Sequence, residues 1–304
     1  MTERRSFRVR APATSANLGP GFDAVGLALD WWDTLRVSPA QEGEATTVQA
    51  RGDGAEAILD GPDNLVRASM ARVAADLGAE LPPLRLELEL GFPPGRGFGS
   101  SAAAIVLGLL AARELLGAEL SGPDLLALAS ELEGHPDNVA PCLHGGATVC
   151  WGEAGRPRCR SLPVAPELAA LALVADRPMD TREARRLLPE RVPFAYAAHT
   201  AGRAALLPLA LAGDLELLLP ATEDVLHQPR RLATQPAAAH ALALLRARGH
   251  AAFLSGAGPS LLVLCARHAL DQAHDDAREA LRDAAGWRIE QFAISTAGAA
   301  IVLD

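Results

Sequence analysis

The chain has 304 residues, 49% of them hydrophobic and 21% charged, enough for one large or two ordinary domains around a buried core. The formal charge is −9, and all 28 basic residues are arginine. The acidic balance argues against a nucleic-acid partner, and the absence of lysine excludes Schiff-base chemistry and the ammonium group of a Walker phosphate loop.

In chain order, the start MTERRSFRVR is charged with no apolar segment behind it, so it does not read as a secretory signal. SFRVRAP alternates and predicts a strand ending at Pro12. ATSANLGPGFDAVGLAL reads as a polar loop leading into an apolar segment, and DTLRVSP as a short strand. DNLVRASMARVAADLG predicts a helix, with Asp63 or Asn64 as its cap and Gly78 as its stop. LRLELEL alternates strictly, as a strand with one wet face does. PPGRGFGSSAAAIVLGLL is a glycine loop opening a helix that is apolar nearly all round and therefore expected in the core. Its apolar run, residues 102–112, is the longest in the chain. A bilayer needs roughly 20 such residues, so no membrane span is expected and the protein is read as cytoplasmic. GPDLLALASELEGH reads as a helix and GGATVCW as a strand.

GEAGRPR, residues 152–158, clusters Gly, Pro and charge and suggests a division into 1–155 and 156–304. Beyond it LAALALVAD reads as a buried strand, with helices at TREARRLL, AYAAHTAGRAALLPLALAGD and AAAHALALLRARG. HAAFLSGAGPSLLVLC reads as strand, turn and strand, DQAHDDAREALRDA as an amphipathic helix, and AISTAGAAIVL as a closing strand. Cys142, Cys150, Cys159 and Cys265 form no C-x-x-C pair and no zinc pattern, and are expected as small, free, buried residues.

Four stretches could carry chemistry. In the glycine loop, Gly95, Gly97 and Gly99 permit positive φ, and Ser100 and Ser101 open the next helix, where unpaired amides favour an anion. Amides, hydroxyls and Arg96 could there replace the missing ammonium. The spacing is not G-x-G-x-x-G, which weakens a dinucleotide reading; a serine-capped turn would also account for the pattern. PATSANLGPGFD (12–23) is a polar concave loop or a plain turn. EGHPDNVAP (133–141) gathers Glu133, His135, Asp137 and Asn138, with Glu133 able to reach a magnesium ion. LSGAGPS (254–260) is a small-residue turn that could approach a phosphate or simply join two strands.

Together, in this order and at these distances, the four stretches resemble the GHMP small-molecule kinases. PATSANLGPGFDAVGLAL, EGHPDNVAPCLHGG and DTREARRLLP (180–189) point within that family to the homoserine kinases. The resemblance implies an α+β two-domain GHMP kinase fold: an N-terminal domain like ribosomal protein S5 domain 2 and a ferredoxin-like C-terminal domain. It implies transfer of the ATP γ-phosphate to the side-chain hydroxyl of L-homoserine in threonine biosynthesis, with Mg2+, and suggests a homodimer. By resemblance, Pro93, Pro94, Gly95, Arg96, Gly97, Phe98, Gly99, Ser100 and Ser101 hold the nucleotide, with Asn64 near the adenosine. Ser100 and Glu133 complete the magnesium shell. Arg185 and Arg231 take the acceptor's carboxylate, with Thr181 and His135 nearby; Arg230 stands beside Arg231. Asp23 takes the ammonium, and Asn17 and Asn138 orient the hydroxyl. Asn138, Asp23 and Arg185 carry catalysis by placement, because Asn138 stands where some relatives have an aspartate and cannot accept a proton at neutral pH. A mevalonate-, cytidyl-sugar-alcohol- or shikimate-type kinase and an inactive family member are the alternatives.

Overall fold

A computed structural model describes residues 6–303, so MTERR and the signal-peptide reading that rests on it lie outside the described residues. The first sheet is built on β1 (Phe7–Ala16) and β2 (Val25–Pro39), which pair antiparallel. Pro12 has no N–H to give the ladder, and the register shifts there: Pro12 faces Trp32, while Ala13 faces Leu29. The strand bulges at Pro12 and resumes through Ala16, where the sequence predicts a loop. VGLAL and DTLRVSP likewise prove to be one strand. Val25–Leu27 of β2 pair with β5 (Ala147–Glu153), and Thr34–Pro39 with β4 (Leu84–Leu90). β3 (Thr47–Gly52) runs parallel to β4, β6 (Arg156–Leu162) pairs with β5, and β11 (Ala300–Leu303) returns from the far end of the chain to β1. GEAGRPR is thus the turn region of the β5–β6 hairpin, and the chain leaves the first sheet after Leu162.

Four helices accompany this sheet: α1 (Leu65–Asp76), α2 (Ser100–Leu116), α3 (Gly122–Glu133) and α4 (Pro136–His144). α2 is buried at Ala102, Ala103 and throughout 105–112, as its all-round apolar sequence requires. Gly108 is what admits α1 at close range, since a Cβ there would lie 2.5 Å from the Val66 carbonyl oxygen.

The second sheet is antiparallel in the order β10–β7–β9–β8: β7 (Leu168–Ala175), β8 (Ala251–Leu254), β9 (Leu261–Ala266) and β10 (Trp287–Ala293). Between β7 and β8 run α5 (Thr181–Arg186), α6 (Phe194–Ala212), α7 (Leu218–Ala221), α8 (Gln228–Leu232) and α9 (Pro236–Ala247); α10 (Leu270–Ala280) joins β9 to β10. With α9 and α10 as crossovers this is the ferredoxin-like βαββαβ arrangement. β7 is buried at all eight positions because both faces are covered. Leu171 and Leu173 pack with Ala241, Leu245, Ala273 and Ala277 of α9 and α10, while Ala170, Ala172 and Val174 join the core of the first sheet. That face docks the two halves, and the candidate site lies along the join.

All four cysteines are free, and burial raises every thiol, Cys265 to about 11 and Cys150 to about 12, so none is set up as a nucleophile. Among the described residues no helix is long and apolar enough to cross a membrane.

Candidate functional site

The glycine loop, residues 93–99, leads from β4 into α2. Gly95, Gly97 and Gly99 all adopt positive φ (72°, 88° and 69°), so the alternation in sequence is an alternation of left-handed residues. Gly99 caps α2 without any side-chain hydrogen bond, leaving the first-turn amides for a ligand. Only glycine fits, because a Cβ at Gly99 would lie 2.0 Å from Thr14 Oγ1. The loop's carbonyls are taken by protein donors. The Gly95 oxygen accepts from Met179 N at 2.8 Å, Gly97 from Ser255 Oγ at 2.6 Å and Phe98 from Thr14 N at 3.0 Å. Donors from both halves therefore hold the cradle.

Two cavities meet at this loop and share Gly95, Ser100 and Ser101. One, of about 510 Å3, is lined by Ile58, Leu59, Pro62, Leu65, Leu88, Pro94 and Ala104, walls suited to a flat nucleobase. Asn64 also lines it, but its side chain is engaged: Oδ1 accepts from Val66 N and Arg67 N, capping α1, and Nδ2 donates to Leu59 O. The other cavity is polar. It gathers Asn17, Asp23, Ser100, Ser101, Glu133, His135, Asp137, Asn138, Thr181, Arg185 and Arg231, every residue the sequence suggests for acceptor and magnesium.

Within it, Arg185 grips Asp23 in a bidentate ion pair, Nη1 and Nη2 each 2.8 Å from a carboxylate oxygen. Arg231 is 2% exposed and donates to the Gly256 carbonyl, whereas Arg230 is exposed and does not line the cavity. The Phe22 ring packs near both guanidinium groups, its centre 5.5 Å from Arg185 and 5.3 Å from Arg231. Asn17 has φ 73° and spends its amide on structure: Nδ2 donates to Gly256 O and Oδ1 accepts from Asp23 N. It shapes the loop that presents Asp23. Thr14 Oγ1 donates to Asn138 Oδ1 at 2.9 Å, which fixes that amide and leaves Nδ2 to meet a hydroxyl oxygen.

His135, Pro136 and Asp137 start a separate helix, α4, rather than ending the preceding one. His135 Nδ1 lies 2.6 Å from Asp137 Oδ1. Burial works against a charged imidazole here, yet Asp137, with Glu133 and Asp23 behind it, outweighs burial and the His135 pKa is raised. Burial also raises the Glu133 carboxyl, against the pull of Ser101, whose Oγ donates to Glu133 Oε2 at 2.6 Å. The direct serine partner of Glu133 is thus Ser101, with Ser100 on the same cavity wall.

Two residues of the glycine loop turn away from the cavities in their side chains. Arg96 reaches Pro94 O and, at 2.6 Å, Asp176 O, lining a different cleft with Pro93, Asp53 and Arg288, so its guanidinium is held by backbone carbonyls outside both cavities. Phe98 is buried against Trp31 in the core. Nothing in the sequence marks Thr14, Ser255 or His227 individually: Thr14 and Ser255 sit inside the PATSANLGPGFD and LSGAGPS stretches without a role of their own, and His227 stands four residues before Arg231 in ATEDVLHQPRR with no motif around it.

Two family models match the chain, GHMP kinases N terminal domain over residues 64–146 and GHMP kinases C terminal over 206–286. The homoserine kinase of Leifsonia xyli subsp. xyli is 46% identical over 300 residues, covering 98% of this chain and 92% of that protein. The homoserine kinase of Clavibacter michiganensis subsp. michiganensis is 48% identical over 262 residues, covering 86% and 83%. Among solved structures, homoserine kinase from Cytophaga hutchinsonii superposes with a TM-score of 0.87 at 27% identity over 99% of each chain. The chain belongs to the GHMP kinases and, within them, to the homoserine kinase family.

Proposed function

We propose that the chain transfers the γ-phosphoryl group of ATP to the side-chain hydroxyl of L-homoserine. The observation that carries this reading is the Asp23–Arg185 pair facing the glycine loop, a carboxylate and a guanidinium that match the ammonium and carboxylate of an amino acid. A zwitterion can exchange each partner for one of its own charges and leave none unpaired. An acceptor with a carboxylate alone would take Arg185 and strand Asp23. Arg231 supplies a second guanidinium, and Asn138 Nδ2 receives the reacting hydroxyl.

The triphosphate lies along the start of α2, with the nucleoside in the larger cavity. Ser100, Ser101 and Glu133 offer hard oxygen donors beside the place the phosphates would take, and this donor set fits Mg2+. When bound, that ion neutralises charge on the phosphates. Phosphoryl transfer passes through a loose transition state, so placement and charge stabilisation suffice. In this reading the hydroxyl proton goes to an oxygen of the transferring group. The enzyme is cytoplasmic, and its product feeds threonine biosynthesis.

ADP release with homoserine, with mevalonate and with no acceptor tests the reading, with 31P NMR of the product. Homoserine-dependent release and a new phosphate monoester are expected. Release with mevalonate and none with homoserine would overturn it.

A further inference from the structure

A buried guanidinium stays where its acceptors hold it. Arg231 has two such partners on the same nitrogen: Nη1 lies 3.0 Å from Gly256 O and 3.3 Å from His227 Nδ1. A guanidinium only donates, so Nδ1 must be the bare nitrogen of His227. The ring proton then sits on Nε2, which lies 2.7 Å from the carbonyl oxygen of Gly19, a group that only accepts. Both ring nitrogens independently require the same neutral tautomer.

His227 is 1% exposed, and its ring packs 5.1 Å from that of Phe22. The charged groups facing it are Asp224 and Arg231 of its own segment and Asp23 from the loop. Asp224 Oδ2 is 3.6 Å from Nε2, but the Asp224 oxygens already accept the backbone N–H groups of Leu226, His227 and Gln228. Burial above all, helped by Arg231 and opposed by Asp224, holds the imidazole below its ordinary pKa.

The geometry points to His227 as a positioning residue for acceptor binding: a neutral imidazole, protonated on Nε2, that sets the Arg231 guanidinium and ties it to the 17–23 loop carrying Asp23. The two ends of this link come from opposite halves of the chain, and Gly256 O closes it by accepting from both Arg231 and Asn17. The inference rests on the reading that Arg231 meets the acceptor's carboxylate.

The test is steady-state kinetics, varying homoserine and ATP separately, on the wild type, His227→Gln, His227→Phe, Arg231→Ala and the Arg231→Ala/His227→Phe double variant. Side-chain 15N NMR of histidine-labelled enzyme accompanies it. Phe keeps the ring and removes both hydrogen bonds, one of them to a charged group, so homoserine KM rises about 10-fold. ATP KM stays within about twofold. Gln offers a donor to Gly19 and an oxygen to Arg231 and recovers most of the loss. Arg231→Ala raises homoserine KM at least as much, and adding His227→Phe to it changes little, because His227 acts through Arg231. The resonance missing from His227→Gln reports an Nε2–H imidazole that stays neutral at mildly acidic pH.

An Nδ1–H tautomer or ordinary titration overturns the proposal, and this arm reads the wild type even where the Phe variant does not fold. Unchanged homoserine KM in His227→Phe, or an equal rise in both KM values, overturns it too while leaving the acceptor reading intact. Unchanged homoserine KM in Arg231→Ala defeats the acceptor reading itself, and the proposal with it.

Discussion

Asp33 of β2 is 2% exposed and accepts the amide of Gly91 at 2.9 Å, at the turn that leads into the glycine loop. Burial raises its carboxyl from 3.8 to about 7, against the lowering effect of the Gly91 and Phe92 amides. The folded protein therefore keeps this proton to near-neutral pH, while the unfolded chain releases it near pH 4. Between those values the unfolded state binds fewer protons, so stability falls as pH rises and then levels off above about pH 7. The full span, roughly three pH units at 1.36 kcal/mol each, is about 4 kcal/mol, of which about 2–3 kcal/mol falls between pH 5 and pH 8. Asp33→Asn abolishes the titration. A hydrogen bond weakened by the substitution shifts the variant equally at every pH, so only ionisation makes the gap grow. Thermal unfolding of both proteins across that range should show the melting temperature of Asp33→Asn gaining about 3–5 °C on the wild type, the shift expected for a chain of this length. Parallel curves would refute the buried-proton argument.

Gly99→Ala should cut kcat/KM for ATP about 100-fold, from the left-handed backbone and the loss of the Thr14–Asn138 hydrogen bond together. A Cβ there lies 2.0 Å from Thr14 Oγ1 and 3.1 Å from Asn138 Oδ1; unchanged ATP kinetics would place the triphosphate elsewhere. Asp137→Asn should lower kcat by less than about 10-fold, below what loss of a general base costs. It should also move the high-pH limb of the rate profile to lower pH. The raised His135 pKa keeps the imidazolium present below it, the charge is lost as pH climbs through it, and removing Asp137 lowers it. Abolished phosphoryl transfer with homoserine binding intact would make Asp137 the base.

What the sequence shows clearly is whatever a contiguous stretch decides by itself. LRLELEL becomes β4, the apolar run becomes α2, and the alternating glycines become three left-handed residues. Elements without such a signature escape: TVQARG alternates but is short and has only Val48 and Ala50 as apolar positions, WRIEQFA breaks its alternation at Glu290 and Gln291, and RPRCRSL is an edge strand whose Pro and Arg suit an exposed position. Candidate-site residues divide the same way. Their identities are legible in short motifs, but their partners are not. Helix geometry at the start of α2 decides that Ser101 rather than Ser100 reaches Glu133, and burial separates Arg231 from Arg230. The bonds that shape the cavity join Thr14 to Asn138, Asn17 to Gly256, Asp23 to Arg185, Gly97 to Ser255 and Gly19 to His227, each spanning more than a hundred residues. Four of the five cross from the first sheet's half of the chain to the second. These contacts cannot form until the halves dock through β7, so the candidate site and the join between the halves are one structure. A substitution that loosens the join should therefore register in homoserine and ATP binding even when it lies outside both cavities.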